Sequence, residues 1–363
     1  MNMTPALQCI HQAFEKRAAE QGELIAVIEE ERHYSYTQMR EMYRSMALDM
    51  RERGIEPGDR VVISQEHSAK LIASLLATLS LGVIAVPMES KIPDTLARRI
   101  LDDCRAKLAL VDNSSQGRFA ALSLNYLNVE EKPLGQSIDT GDSSKLDSKL
   151  DSLLDSKLDS KLDSKLDSKQ ATVDLDTAAV IFYTSGTTAH PKGVLQSHRQ
   201  ICQGQLAPMD FFSIDSRDRS LLRTPLSTSA LFCETFWSLL AGGQCVVAPW
   251  RKQKDPRELI SLIREHSVSI IATVPSLLRL LLEQRDFQNC KTLRLIISSG
   301  EALDQKTAEA VEQCLPGRLA IIYGTTEAPS TTGRMFHEGD TKDPLNVGWP
   351  MGDKALYILD DCL

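Results

Sequence analysis

Residues 183–194 read "YTSGTTAHPKGV", and they continue the apolar run "AAVIFY" at 178–183. That run has the length and apolar character of a buried strand, and the polar residues around Gly186 end it. In α/β proteins ligands bind where strands end at the carboxyl edge of the sheet, so a loop leaving that edge is where chemistry is expected. Thr184, Ser185, Thr187 and Thr188 offer hydroxyls, and Gly186 leaves backbone N–H groups open to an anion. Lys192 adds a positive charge directly after Pro191, which stiffens the loop. These are phosphate-binding groups. They do not form a Walker A loop, because Pro191 stands where its second glycine is required and Gly193 where its Ser/Thr is required. A ligand-free Ser/Thr-rich turn accounts for "SGTT" taken alone, and the motifs further along the chain weigh against it.

Outward from this loop the chain alternates between short apolar runs and helical periodicity. On the N-terminal side come "DRVVIS", "AKLIASLLATLSLG", "VIAVPM", "DTLARRILDDCRA" and "KLALVD", in the order strand, helix, strand, helix, strand. Before them, "YTQMREMYRSMALDMRERG" puts Met39, Tyr43, Met46 and Met50 on one helical face, with Thr37 as the expected N-cap and Gly54 just past the end. The methionine stripe reads as core. On the C-terminal side "QCVVAP", "SIIATV", "LRLIIS" and "LAIIYG" repeat the pattern. The expected fold is α/β, with two doubly wound, mainly parallel subdomains at residues 1–135 and 171–340. Between them, residues 136–170 hold a tract that repeats "SKLD" at a period of four, broken once by "SLLD". A helix of that period would stack Lys on Lys and Asp on Asp and build no apolar face, so the tract is expected to be a solvated, disordered insertion.

Composition narrows the function. With 363 residues, 42% hydrophobic and 25% charged, the chain can fold into more than one domain. A net charge of -8 gives no basic face for a nucleic-acid backbone, so no nucleic-acid partner is expected. The eight cysteines show neither a C-x-x-C pair nor a Cys/His run of zinc spacing, which suggests reduced cytoplasmic thiols without a disulfide framework or structural metal. The start, "MNMTPALQCIHQAF", lacks the pattern of a secretory signal. The most apolar stretch, Leu71 to Pro87, is interrupted by Ser74, Thr78, Ser80 and Gly82 and reads as a buried helix followed by a strand, with no membrane span.

"YTSGTTAHPKGVLQSH" resembles the signature phosphate loop of the adenylate-forming superfamily, which includes acyl-CoA synthetases, luciferases and the adenylation domains of nonribosomal peptide synthetases. Further matches follow in the family's order: "YSYTQM", "LSLGVIAVPMES", "SSGEAL" at Ser298 to Leu303 and "YGTTEA" at Tyr323 to Ala328. "NVGWPMGDKALYILDD" is similar to the stretch that leads into the β-barrel of peptide-synthetase adenylation domains, so residues 341–363 are expected to begin an incomplete barrel. The resemblance covers nearly the whole chain except the SKLD tract.

The resemblance implies roles for particular residues. Thr184, Ser185, Gly186, Thr187, Thr188 and Lys192 would hold the β- and γ-phosphates of ATP. Tyr323, with Gly324 and Thr325 after it, would stack on adenine, and Gly300, Glu301 and Ala302 would line that pocket with backbone. Thr326 would bond the α-phosphate, and Glu327 would help hold Mg²⁺, a hard cation that takes oxygen ligands. Lys192, Thr326 and Glu327 are the catalytic candidates, acting by positioning and charge neutralisation, since an ionised carboxylate needs no general base. The expected product is an acyl-adenylate, made with release of pyrophosphate and passed to a carrier protein's phosphopantetheine or to coenzyme A. A degenerate binding module without catalysis is the other reading of the same motifs.

Departures from the family pattern are informative. Ala189 replaces the usual glycine, and Ile321 stands where many peptide-synthetase domains have asparagine. In "PLSTSALFCETFWSLLAGG", which resembles the segment that opens the carboxylate pocket through Ser229, Phe232 and Cys233, domains for α-amino acids carry an aspartate against the substrate ammonium, and this chain has Ser229. A neutral hydroxyl cannot form that charge pair, so the expected substrate is an acid without an α-ammonium group. Leu363 falls where the family continues through its barrel and a C-terminal domain, so the chain by itself is expected to adenylate weakly or not at all.

Overall fold

The structure, a computed structural model, describes residues 7–131, 138–139, 173–184, 191–336 and 345–360. The SKLD tract, Ser185 to His190 of the phosphate loop, and the end of the chain from residue 361 lie outside the described residues. The chain divides into two compact units, Met1–Arg199 with Pro225–Thr228, and Gln200–Thr224 with Ser229–Leu363.

Unit 1 runs α1 (Ile10–Gln21), β1 (Ile25–Glu29), β2 (Arg32–Ser35), α2 (Tyr36–Glu52), β3 (Arg60–Ser64), α3 (Ala69–Ser80), β4 (Ile84–Pro87), α4 (Asp94–Cys104), β5 (Leu108–Val111), α5 (Gln116–Ala121), β6 (Tyr126–Asn128), β7 (Ile138–Asp139), β8 (Ala178–Thr184) and β9 (Lys192–Ser197). Its main sheet has the order β6-β5-β3-β4-β8-β9, parallel except for the antiparallel β8/β9 pair at the edge. β1, β2 and β7 pair antiparallel. The stretch from Leu71 to Pro87 forms the buried helix and strand expected of it, as α3 and β4. Every residue of α3 but Lys70 is buried, and the helix handles its polar groups internally: Gln65 and Ser74 bond each other, and the Thr78 hydroxyl donates to the Ser74 carbonyl.

The methionine stripe of α2 is buried as read, at Met39, Tyr43, Met46 and Met50. Its start differs from the expected Thr37. Ser35 is the N-cap, because its hydroxyl accepts the Gln38 N–H at 3.2 Å while the Gln38 side chain accepts the Ser35 N–H at 2.8 Å. That reciprocal pair satisfies two otherwise orphaned donors, which Thr37 could not do with Arg40 three residues on.

Helix α6 (His198–Phe211) carries the chain from unit 1 into unit 2. Unit 2 continues with β10 (Arg219–Leu222), α7 (Ala230–Ala241), β11 (Gln244–Val247), α8 (Pro256–Glu265), β12 (Ile270–Thr273), α9 (Pro275–Leu282), a 3₁₀ turn (Arg285–Asn289), β13 (Leu295–Ser298), α10 (Gln305–Cys314), β14 (Leu319–Tyr323), β15 (Thr332–Met335) and β16 (Trp349–Pro350). The sheet order is β16-β15-β14-β13-β12-β10-β11, parallel from β11 to β14 and antiparallel beyond. Its core joins Trp237 of α7 to Ile270, Leu295, Ile297 and Ala320 on three neighbouring strands. Burying such residues supplies the bulk of the driving force, at roughly 25 cal/mol per Å² of apolar surface.

Residues 352–360, within the stretch expected to begin the incomplete barrel, form no ladder, and Leu356, Tyr357, Ile358 and Leu359 are exposed there. Among the described residues, no helix is long and apolar enough to cross a membrane.

Candidate functional site

Parallel strands end on one side of a sheet, so the unit 2 topology gathers the residues that follow β10, β12, β13 and β14 along a single edge. The register aligns Ser298 of β13 with Ile321 of β14, which sets the "SSGEAL" and "YGTTEA" segments side by side. After β13 the chain is held back to β12 by the Ser299 N–H, which donates to the Thr273 carbonyl at 3.0 Å. Gly300 then takes φ +81°, a left-handed conformation that side chains resist, and Gly300, Glu301 and Ala302 are exposed. Glu301 is anchored: its carboxylate accepts the Ser276 N–H at 3.0 Å and the Ser276 hydroxyl at 2.9 Å. What the segment presents is therefore mainly backbone.

Tyr323 ends β14 with half of its surface exposed, an uncommon state for a large ring at a sheet edge. A Cβ at Gly324 would sit 2.7 Å from the Ser330 nitrogen, so only glycine lets the chain turn this tightly. The turn is stapled by the Thr325 N–H to the Ala328 carbonyl (3.1 Å), the Ala328 N–H to the Thr325 carbonyl (3.2 Å) and the Thr331 N–H to the Tyr323 carbonyl (2.8 Å). Thr326 and exposed Glu327 occupy its tip. An accessible ring, an open strip of backbone and an exposed carboxylate on one edge suit an aromatic base, its polyphosphate and a hard cation.

The acid-binding candidates sit at the start of α7. Ser229 is the N-cap position of this helix but its side chain makes no capping bond, and it is half-buried. Phe232 is buried and Cys233 half-buried. Behind them, buried Glu234 accepts the Arg223 N–H at 2.8 Å, the Thr224 N–H at 2.7 Å and the Thr224 hydroxyl. This ties the end of β10 to α7 and so fixes the helix that bears Ser229. Burial raises the Glu234 carboxyl above its usual range, against the pull of Arg223 and the hydrogen bonds. Burial also pushes the Cys233 thiol up to about 12, opposed by a hydrogen bond with Ser330. Lys354 lies beside it, half-buried, donating to the Ser330 carbonyl at 3.0 Å, and burial lowers its ammonium. Sequence reading singled out neither Glu234 nor Ser330 nor Lys354. The first looks like one acid in an apolar helix, and the other two reach Cys233 only through the fold.

In unit 1, Thr184 and Lys192 are paired across the β8/β9 hairpin, flanking the part of the loop that is outside the described residues. Thr184 is half-buried and Lys192 exposed. The neighbouring Tyr183 is pinned, its hydroxyl donating to Asp103 at 2.5 Å, with burial raising its pKa. Unit 1 thus holds Thr184 and Lys192, and unit 2 holds Ser229, Phe232, Cys233, Gly300 to Ala302 and Tyr323 to Glu327.

Comparison with known proteins converges on one family. Tyrocidine synthase 3 of Brevibacillus parabrevis is 26% identical over 98% of this chain, and the chain spans 5% of that protein's length. A four-domain nonribosomal peptide synthetase solved with AMP and glycine superposes with a TM-score of 0.80 at 22% identity, covering 98% of this chain and 24% of that one. The Klebsiella oxytoca NpsA N-terminal subdomain, solved with 3-hydroxyanthranilyl-AMSN, gives 0.77 at 21% identity over 95% of this chain and 80% of its own. The signature of the AMP-binding enzymes matches residues 14–362, and the chain belongs to that family, with its relatives among the adenylation domains of nonribosomal peptide synthetases.

Proposed function

We propose that this chain is the nucleotide- and acid-binding core of an enzyme that activates a carboxylic acid as its acyl-adenylate, for transfer to the phosphopantetheine thiol of a carrier protein. The reading is carried by the juxtaposition of Gly300–Ala302 with Tyr323–Glu327 on adjacent parallel strands, inside a chain that matches the AMP-binding enzymes. A carboxylate oxygen attacks the α-phosphorus of ATP. The bond to the β-phosphate breaks, and pyrophosphate leaves with the electron pair. The carrier thiol then attacks the acyl carbon, and AMP departs from the mixed anhydride.

Tyr323 stacks on the adenine while the backbone of Gly300 to Ala302 runs along it. Lys192 and the hydroxyls of Thr184, Ser185, Thr187 and Thr188 take the charge of the leaving pyrophosphate, and Thr326 bonds the α-phosphate. Glu327 would hold Mg²⁺ together with phosphate and water oxygens, and the ion would neutralise charge as it develops. The linear arrangement assigned to this core is 1–135, 136–170, 171–340 and 341–363, the last as the start of the barrel.

We infer further that the acid carries no α-ammonium group. Ser229 offers a neutral hydroxyl, and the Lys354 ammonium lies beside Cys233, one helical turn along α7 from Ser229. A substrate ammonium there would meet a like charge from Lys354.

ATP–pyrophosphate exchange with hydroxy, keto, aryl and short acyl acids, set against the standard α-amino acids, tests both statements. Exchange, weak from the chain by itself, is expected with an acid lacking the ammonium and is expected to fall by up to about 10²–10³ in Lys192→Ala or Glu327→Ala. A standard α-amino acid as best substrate, with Ser229→Asp making little difference, overturns the substrate class. Calorimetry showing no heat with ATP·Mg²⁺ overturns the enzymatic reading.

A further inference from the structure

Away from these residues, unit 1 holds a sealed cluster of Cys9, His11 and His198, whose ligand atoms all lie within 4.8 Å of one another. It is the one group of three or more such side chains close enough to share a metal ion among the described residues. Cys9 is 1% exposed, His11 5% and His198 0%. Nδ1 of His11 and both ring nitrogens of His198 are buried without a hydrogen-bond partner. The two rings pack edge to face, with centroids 6.3 Å apart, which leaves these nitrogens unbonded; a buried polar atom in that state costs about 1–3 kcal/mol.

We propose that Cys9, His11 and His198 form a binding site for a borderline-soft divalent transition-metal ion, zinc in the first instance. One thiolate and two imidazoles are the donor set such ions select, whereas Mg²⁺ or Ca²⁺ would ask for oxygens. Bonds of about 2.0–2.3 Å in a tetrahedron place ligand atoms roughly 3.3–3.8 Å apart, so a trio within 4.8 Å closes by at most about 1.5 Å. The backbone holds the three in place. Cys9 is the N-cap of α1 and its N–H donates to the Gln12 side chain at 3.1 Å. His11 lies in the first turn, and the His198 N–H, at the start of α6, donates to the Thr177 carbonyl at 3.0 Å.

A fourth donor is at hand. The Cys9 thiol points at the Val173 carbonyl, 3.7 Å away, and that oxygen or a water can complete the shell. Binding forms a sulfur–metal bond and releases the thiol proton to buffer. The nearby Asp174 carboxylate favours a dication at the same point. Such an ion would clamp the N-terminus of α1 to the junction that follows β9, the strand that begins with Lys192.

The test uses the reduced full-length protein, stripped with a chelating resin and titrated with CoCl₂ without oxygen. A sulfur-to-cobalt charge-transfer band should grow and saturate at a single equivalent, with visible bands as intense as tetrahedral coordination gives, and zinc should displace it. Cys9→Ser should abolish the band. His11→Asn should weaken cobalt binding by roughly tenfold or more. Far-ultraviolet circular dichroism of both variants separates loss of a ligand from loss of the fold, and His11→Asn serves if Cys9→Ser unfolds. No sulfur band in the parent, or a band undiminished in folded Cys9→Ser, overturns the proposal. None of these readouts depends on adenylation.

Discussion

Unit 2 buries Glu234 and unit 1 buries His198, and the two side chains are treated in opposite ways. Glu234 receives two backbone N–H groups and a hydroxyl, with Arg223 adding its positive charge. His198 has neither ring nitrogen bonded. The first is a finished network, in which the cost of burying a carboxyl is offset by donors that exist only in the folded chain. The second keeps its lone pair and N–H unused in a sealed place, and with Cys9 and His11 around it the set is complete only if something else arrives. Burial alone does not tell a structural polar group from a binding one. Whether its bonding is closed, and whether other ligand atoms gather around it, does.

The contrast can be broken first at Glu234. Glu234→Ala strands three donors and should cost about 3–5 kcal/mol, read from urea unfolding. All three tryptophans, Trp237, Trp250 and Trp349, are in unit 2, so their fluorescence reports this loss directly. A cost below about 1 kcal/mol, the mean worth of a single ordinary hydrogen bond, would mean that the network is not what holds α7 to β10. The second effect belongs to unit 1. At zinc concentrations of about a hundred times Kd, a site present only in the folded state adds about 2.7 kcal/mol, and in Cys9→Ser it should add nothing. Unit 1 has no tryptophan to report it, so the measurement is the urea midpoint by far-ultraviolet circular dichroism.

Acid separates the two sites by sign. His11 and His198 have folded pKa values depressed to about 3 and about 4. Below the ordinary histidine range the unfolded chain takes up protons that the folded one refuses, so their contribution is full above pH 6.5 and is lost as pH falls towards 4 and then 3. The slope approaches about 1.4 kcal/mol per pH unit for each histidine, and His11→Asn should halve it. Glu234 runs the other way. Its raised carboxyl contributes stability that is present below the ordinary carboxylate range and lost as pH rises through the folded value. A metal-free His11→Asn variant whose midpoint follows the same pH profile as the parent between about pH 6.5 and 4 contradicts the burial of a neutral His11 imidazole.

Much of the α/β order was legible in the sequence, because short apolar runs separated by 3.6-residue periodicity have one economical arrangement, a sheet with helices against it. The methionine face of α2 and the burial of α3 followed from that periodicity alone. Its N-cap did not, because Ser35 wins through a side chain three residues away, at Gln38, which a search for the first capping residue overlooks. The motifs at 298–303 and 323–328 were legible as sequence, but their adjacency is a property of β13 and β14 pairing in parallel. The Cys9 cluster was illegible for the same reason. Cys9 and His11 are two residues apart and make no zinc signature by themselves; the third ligand is the histidine that closes "YTSGTTAHPKGVLQSH", brought back by a whole unit of fold.

The smallest effect is the sharpest use of the comparison. Ser298 ends β13 at the head of the "SSGEAL" segment, 1% exposed, and its hydroxyl is unbonded like the imidazole nitrogens of His198. Here, however, no second donor or charged group completes a ligand set among the described residues, so an unclosed bond should be only a cost. Ser298→Ala removes the orphan with little change in shape and should leave the tryptophan-monitored midpoint within about 0.5 kcal/mol of the parent, or slightly raise it. The same logic applied to His198 gives the opposite result once zinc is present, because its unused nitrogen is then a bond. If Ser298→Ala costs more than about 1 kcal/mol, the hydroxyl has a partner that matters, and an unbonded buried atom ceases to distinguish a binding site from a structural one in this protein.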